Sequence, residues 1–122
     1  MTIDELLKMH EETCTAARDI MRAKNADYTA GSADPFANFR ASEAVGVQAE
    51  LSILIRSLDK FQRIRSFVTL GSLQVKDESV DDAIQDVVND MILLKGLIRD
   101  RRPTTHAATF NYLEGNPDAV VT

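Results

Sequence analysis

Three long stretches of this chain repeat apolar residues at helical spacing, and almost nothing in it alternates as a half-buried strand would. The first carries Leu6, Leu7, Met9, Cys14, Ala17, Ile20 and Met21. Thr2 with Glu5 three residues on is a capping-box pattern, so this helix is expected over about residues 2–25. In the second, Val47, Leu51, Leu54, Leu58, Phe61 and Ile64 form a stripe. Ser42 or Glu43 opens it, and Gly71-Ser72 ends it after Leu70. The third begins at Ser79, a good N-cap, with Asp81 and Asp82 in the first turn, where the helix dipole favours anions. It runs to about Arg101, and Pro103 stops it. The expected class is all-α: a compact bundle of three main long helices over residues 1–103, followed by a tail, 104–122.

Residues 26–41, ADYTAGSADPFANFRA, read as a loop, because Gly31, Ser32, Asp34 and Pro35 punctuate them. A loop of this length in a small domain is often functional. The tail has no sustained periodicity, and Phe110, Tyr112 and Leu113 are its candidates for docking on the body or on a neighbouring subunit.

At 122 residues the chain fits one domain. A bundle this short leaves apolar faces that oligomerisation would cover. The formal net charge of -5 argues against a duplex nucleic-acid binder, which needs a basic face for phosphates. It leaves room for a nucleotide, whose phosphates bound cations can neutralise. The single cysteine, Cys14, can form no intramolecular disulfide, which fits a reducing cytoplasm. The N-terminus is charged and amphipathic, unlike a signal peptide, and no apolar run approaches the roughly 20 residues that span a bilayer, so no membrane partner is expected.

The carboxylates carry the chemistry. Glu50 lies on or beside the apolar stripe of the second helix, nearly in line with Glu43. An ionised carboxylate facing a core is costly unless it is paired or metal-bound. The two readings for Glu50 are therefore a metal ligand and a partner for an arginine of the first or third helix. Asp82, Asp86 and Asp90 recur every four residues, one acidic row along the third helix. Such oxygen-rich rows suit Mg²⁺ or Mn²⁺; the alternative is a solubilising surface stripe. Arg56, Lys60 and Arg63 form a basic strip beside Asp59 that could hold phosphate oxygens or pair within the helix. A glycine-rich phosphate loop is missing from the sequence, and His10 and His106 stand apart, which speaks against a P-loop or zinc chemistry.

The segments KNADY (24–28), DPFANF (34–39), RSLDKFQR (56–63) and KDESVDDAIQDVVND (76–90) resemble, in order and spacing, the nucleotide modification associated domain 1 family of phages and bacteria. That family looks like a branch of the MazG-like all-α nucleoside triphosphate pyrophosphohydrolases. The resemblance covers about residues 5–100. It implies a homodimeric or homotetrameric bundle whose acidic side chains hold two or more Mg²⁺ or Mn²⁺ ions. The implied reaction is that of a hydrolase of acid anhydrides, converting a nucleoside triphosphate to the monophosphate and pyrophosphate. Phage members acting on guanine triphosphates make dGTP or GTP the narrower expectation, in the host cytoplasm.

On this resemblance Glu50 and Asp86 are the expected catalytic residues, and Glu50, Glu78, Asp82 and Asp86 the expected metal ligands. Lys60 and Arg63 would take phosphate charge, and Lys24, Asn25, Asp27, Tyr28, Asn38 and Asn89 the nucleoside. The chain departs from the family pattern, since Glu50 has Val47 and Ile53 at three-residue spacing where acids are usual. The rival expectations are a nucleotide-binding protein without turnover and an oligomeric helical interaction module.

Overall fold

The computed structural model describes residues 1–28, 33–71 and 79–101. Among these residues four α-helices occur in order: α1 (Ile3–Tyr28), α2 (Ala37–Arg40), α3 (Ala49–Leu70) and α4 (Val80–Arg101), with a 3-10 turn, Ala41–Val45, between α2 and α3. There is no strand among the described residues, so the chain is an all-α bundle. None of its helices is long and apolar enough to cross a membrane, among the described residues.

The helix starts follow the expected capping chemistry. Thr2 N–H donates to Glu5 Oε2 at 2.7 Å, and Glu5 N–H donates back to Thr2 Oγ1 at 3.2 Å. Ser79 and Asp82 exchange the same pair of bonds at 3.3 and 3.0 Å at the start of α4. Gly71, with φ 78°, closes α3 by donating its N–H to Phe67 O at 2.7 Å.

Three expectations are corrected. The second long helix does not begin at Ser42 or Glu43; those residues lie in the 3-10 turn, and α3 begins at Ala49. Gly46 makes the break, because it takes φ 82°, a left-handed backbone that a helix interior cannot hold. The Ser42 hydroxyl fixes the corner, lying 3.0 Å from Phe39 O and 2.9 Å from Val47 O. Residues 26–41 also hold more helix than loop chemistry suggested, since α1 runs on to Tyr28 and α2 occupies Ala37–Arg40.

The third correction concerns which side of α3 is inside. Leu51, Leu54, Leu58 and Phe61 point outward, 43–58% exposed, while Ala49, Ile53 and Ser57 are fully buried against α4. α3 is apolar on both sides. The small Ala49 and Ser57 suit the close-packed side. On α4, Ala83, Asp90 and Leu97 are spaced by seven residues and share the buried face. The core is Phe39, Ala49, Ile53 and Leu97, with Phe36, Leu93 and Leu94 packed on it. Phe36 can lie on α4 because Gly96 is there; a Cβ at that position would meet the ring at 3.0 Å.

Candidate functional site

α1 meets α4 through its second half. Ala17 is buried, and its carbonyl accepts a bond from Asn89 Nδ2 at 2.9 Å. One turn towards the start of α4, Asp86 reaches Lys24 of α1 at 3.3 Å and Lys60 of α3 at 3.0 Å, each lysine taking one carboxylate oxygen. The acidic row therefore does not face solvent as a stripe. Asp86 and Asp90 turn inward, and only Asp82, the capping residue, stays on the surface.

Between these helices and α2 lies a pocket of about 510 Å³, counted out to its open mouth. Met21, Pro35, Phe39 and Leu93 form its apolar lining, and Lys24, Asn25, Asn38, Arg56, Asp86, Asn89 and Asp90 its polar lining. An apolar floor with a few convergent polar groups is the usual make-up of a small-molecule site. Asn25 is steadied by donating to Pro35 O at 3.3 Å. Arg56 sits over the Phe39 ring, 5.6 Å from its centroid.

The two pocket carboxylates are tuned in opposite directions. Burial pushes the Asp86 carboxyl up, but the hydrogen bonds and charges of Lys60 and Lys24 outweigh it and hold the group below its ordinary value. Asp90 is raised, chiefly by burial, against the opposing pull of the Ser57 hydroxyl and Arg56, and the Asp86 charge adds to the rise. Ser57 Oγ lies 3.0 Å from Asp90 Oδ2 and equally close to Ile53 O.

Of the expected nucleoside residues, Lys24, Asn25, Asn38 and Asn89 line this pocket together with Asp86. Asp27 is exposed near the end of α1 and is not part of the lining. The Tyr28 side chain and Glu78 lie outside the described residues. Lys60 reaches the site through Asp86, whereas Arg63 pairs with Asp59 at 3.1 Å, one turn along α3. Arg56 and Asp90, read in the sequence as members of the basic strip and the acidic row but given no role of their own in the site, also line it. Their signal was the i, i+4 relation to Lys60 and to Asp86, which puts each on the same inward side as its neighbour.

The expected acidic cluster of Glu50, Asp82 and Asp86 is not assembled among the described residues. Glu50 Oε1 is 2.5 Å from Arg101 Nε, the arginine pairing that was its alternative reading. Arg101 also reaches Glu43 at 2.6 Å, so the two acids do share a neighbourhood, through the arginine of α4. Asp82 caps α4, and Asp86 has both oxygens on lysines. No group of three or more His, Cys, Asp or Glu side chains is placed to hold a metal ion among the described residues. These residues alone do not fit a resident divalent ion, which needs several oxygen ligands converging without competing cations.

No family model, curated protein or solved structure matches this chain.

Proposed function

We propose that this chain binds a nucleoside triphosphate in the pocket between α1, α2, α3 and α4 and hydrolyses it to the monophosphate and pyrophosphate. The observation that carries the reading is the set of groups converging there. Lys24, Lys60 and Arg56 supply cationic donors suited to phosphate, and Asn25, Asn38 and Asn89 supply amides suited to a base or sugar. The resemblance of residues 5–100 to MazG-like enzymes supports the reaction type. The divalent ion enters as part of the substrate, the Mg²⁺ or Mn²⁺ chelate of the triphosphate.

The residues divide the work as follows. Phosphate oxygens replace Asp86 as partners of Lys24 and Lys60. Asp86, ionised at neutral pH, then accepts a hydrogen bond from the attacking water and orients it. Water adds to the α-phosphorus and passes its proton by way of Asp86 to solvent, the α–β anhydride bond breaks, and the lysines take up charge on the departing pyrophosphate. Glu50 positions α3 against α4 through Arg101 and stays out of the chemistry. A guanine base is the narrower proposal.

A second reading, binding without turnover, is favoured by one observation: both Asp86 oxygens are held by lysines, with no three-carboxylate group among the described residues. One experiment separates them. Each NTP and dNTP is incubated with the chain and Mg²⁺ or Mn²⁺, then with EDTA, and the products are resolved; binding is titrated in parallel. The expected result is metal-dependent monophosphate, lowered at least about 100-fold in Asp86→Ala, which removes the water-orienting group. Binding is kept in that variant, because its lysines lose their internal competitor. Binding without product moves the assignment to the second reading, and neither binding nor product removes both. Equal turnover of all bases removes the guanine proposal.

A further inference from the structure

Two charged side chains of the pocket wall stay outside the ion pairs that hold the others. Lys24 and Lys60 each take one oxygen of Asp86. Arg56 of α3 makes neither an ion pair nor a hydrogen bond among the described residues, and rests instead over the Phe39 ring. Asp90 of α4 also has no ion pair among the described residues, and its hydrogen-bond partner is the Ser57 hydroxyl at 3.0 Å. Both line the same pocket, and Asp90 is only 3% exposed. Each feels the charge of the other without touching it.

A carboxylate placed like this depends on cations at a distance. Arg56 faces it from α3 and Lys24 from α1, while Asp86, one turn back on α4, opposes them. Lys60 of α3 is engaged with Asp86, and α2 adds only the uncharged Asn38 and Phe39 to the lining. An entering triphosphate upsets this balance twice. Its oxygens draw Arg56 and Lys24 to themselves, so Asp90 loses the charges that favour its ionised form. Its own negative charge then lies beside a carboxylate shielded from water, where repulsion is least screened. Both effects favour a neutral Asp90.

We infer that Asp90 takes up a proton when a triphosphate enters the pocket, so that the ligand is held more tightly in acid than at neutral pH. The inference rests on the nucleotide reading of the pocket and adds a proton to what binds there. The proton comes from solvent, and no bond of the ligand changes. The empty pocket is already set for the step. Burial holds the Asp90 carboxyl above its ordinary value, against the pull of the Ser57 hydroxyl and Arg56. A protonated Asp90 donates to Ser57 Oγ, which leaves the hydroxyl proton to Ile53 O. Because the bound form titrates higher than the free form, affinity is greatest below the free value. It falls as pH rises between the two values, by at most about tenfold per pH unit for a single proton.

Calorimetric titration of the full chain tests this, using dNTPs with an imido group at the α–β bridge, which bind without being cleaved there. Runs in buffers of different protonation heat, from acid to neutral pH with Mg²⁺ present, give the protons taken up per nucleotide. Wild type is expected to take up as much as about one proton at the pH of greatest effect. Asp90→Asn, of the same shape, is expected to bind with that uptake lost and with affinity less dependent on pH. The ligand's terminal phosphate titrates with both chains, so the difference between them is the readout. Equal uptake by both chains overturns the inference and leaves the nucleotide reading standing. Failure of every dNTP to bind overturns both. Should Asp90→Asn lose its helical circular-dichroism signal, the Asp90 carboxyl carbon of the wild type, assigned by NMR through its own Cα, decides. A titration midpoint that rises when nucleotide is added supports the inference, and one that stays or falls overturns it.

Discussion

Two charged clusters sit on the same helix, α4, and they are built with opposite surpluses. Near its C-terminal end two arginines each sit between two acids: Arg101 between Glu43 and Glu50, and Arg40 between Asp34 and Asp100. Further back along α4 the ratio inverts, with Asp86 between Lys24 and Lys60 and Arg56 nearby in the pocket wall. Arginine's planar fork can satisfy two carboxylates at once and leaves little charge unspent, so the first cluster works as a clamp. It ties α2 and the 3-10 turn to the end of α4, helped by Asp34, whose carboxylate also accepts the Phe36 N–H at 2.9 Å. That backbone bond comes first among the causes that hold the Asp34 carboxyl below its ordinary value, with Arg40 adding to it against the opposing effect of burial. The second cluster keeps a cationic excess beside an open pocket. Similar ingredients thus give a closed joint in one place and an anion-ready site in the other.

The largest effect expected from breaking this contrast is at the clamp. Arg101→Ala leaves Glu50 without its counter-ion although that side chain is only 18% exposed and its Oε2 is already buried without a hydrogen-bond partner among the described residues. Removing one partner of such a pair costs more than the pair contributes, because the remaining charge stays desolvated. The thermal midpoint is expected to fall by on the order of 10 °C, with nucleotide affinity unchanged. Arg101→Lys recovers only part of the loss, since one ammonium cannot copy the fork. A midpoint within a degree or two of wild type would mean that the cluster is not a joint.

At the pocket the effect is smaller and of a different kind. Lys24→Ala and Lys60→Ala are each expected to weaken nucleotide binding by about tenfold, while unfolding free energy moves by less than about 1 kcal/mol. Titration of a fluorescent nucleotide analogue, run beside urea unfolding, separates the two. If stability falls and affinity does not, the lysines serve Asp86 rather than a ligand, and the two clusters are alike after all.

How much of this was legible in the sequence differs along the chain. The capping box at Thr2 and the N-cap at Ser79 could be read because their partners are three residues apart, and local hydrogen bonding decides them. The glycine stop at Gly71 is local in the same way. The inner face of α3 could not be read by periodicity, since leucines mark one side and small residues the other, and only the identity of the neighbour settles which is buried. The same holds for Glu50. It was read as lying on or beside the leucine stripe, which points outward, and its partner, Arg101, lies in another helix about fifty residues on. Lys24, Asn25 and Asn38 were found through motifs at the end of α1 and in the following loop, and Asn89 through the segment 76–90 that runs into α4. Arg56 and Asp90 could be read as members of the basic strip and the acidic row, and the crossing of the helices brings them into one pocket.

The smallest effect concerns Asp90, and it tests how buried charge is tolerated beside the pocket. Asp90 is 3% exposed. The Ser57 hydroxyl has one proton to share between Ile53 O and Asp90 Oδ2, so an ionised Asp90 leaves one acceptor short. A protonated Asp90 could donate to Ser57 Oγ instead and satisfy all three groups, which accords with its raised pKa. Between the ordinary value of 3.8 and the raised folded value, the native chain holds more protons than the unfolded one, so this residue's contribution to stability falls as pH climbs through that window. Asp86 runs the other way. Its lowered value means that its lysine pairs stabilise the fold above 3.8 and are lost as pH falls through the folded value. Asp90→Asn puts a neutral donor where the protonated acid would be. It is expected to raise unfolding free energy by up to about 1 kcal/mol near neutral pH and by nothing below 3.8. Urea unfolding of both proteins from acid to neutral pH reads the gap directly. A gap that opens as pH rises marks Asp90 as a buried charge carried at a cost, and a gap of constant size would mean that the Ser57 bond, not ionisation, decides its effect.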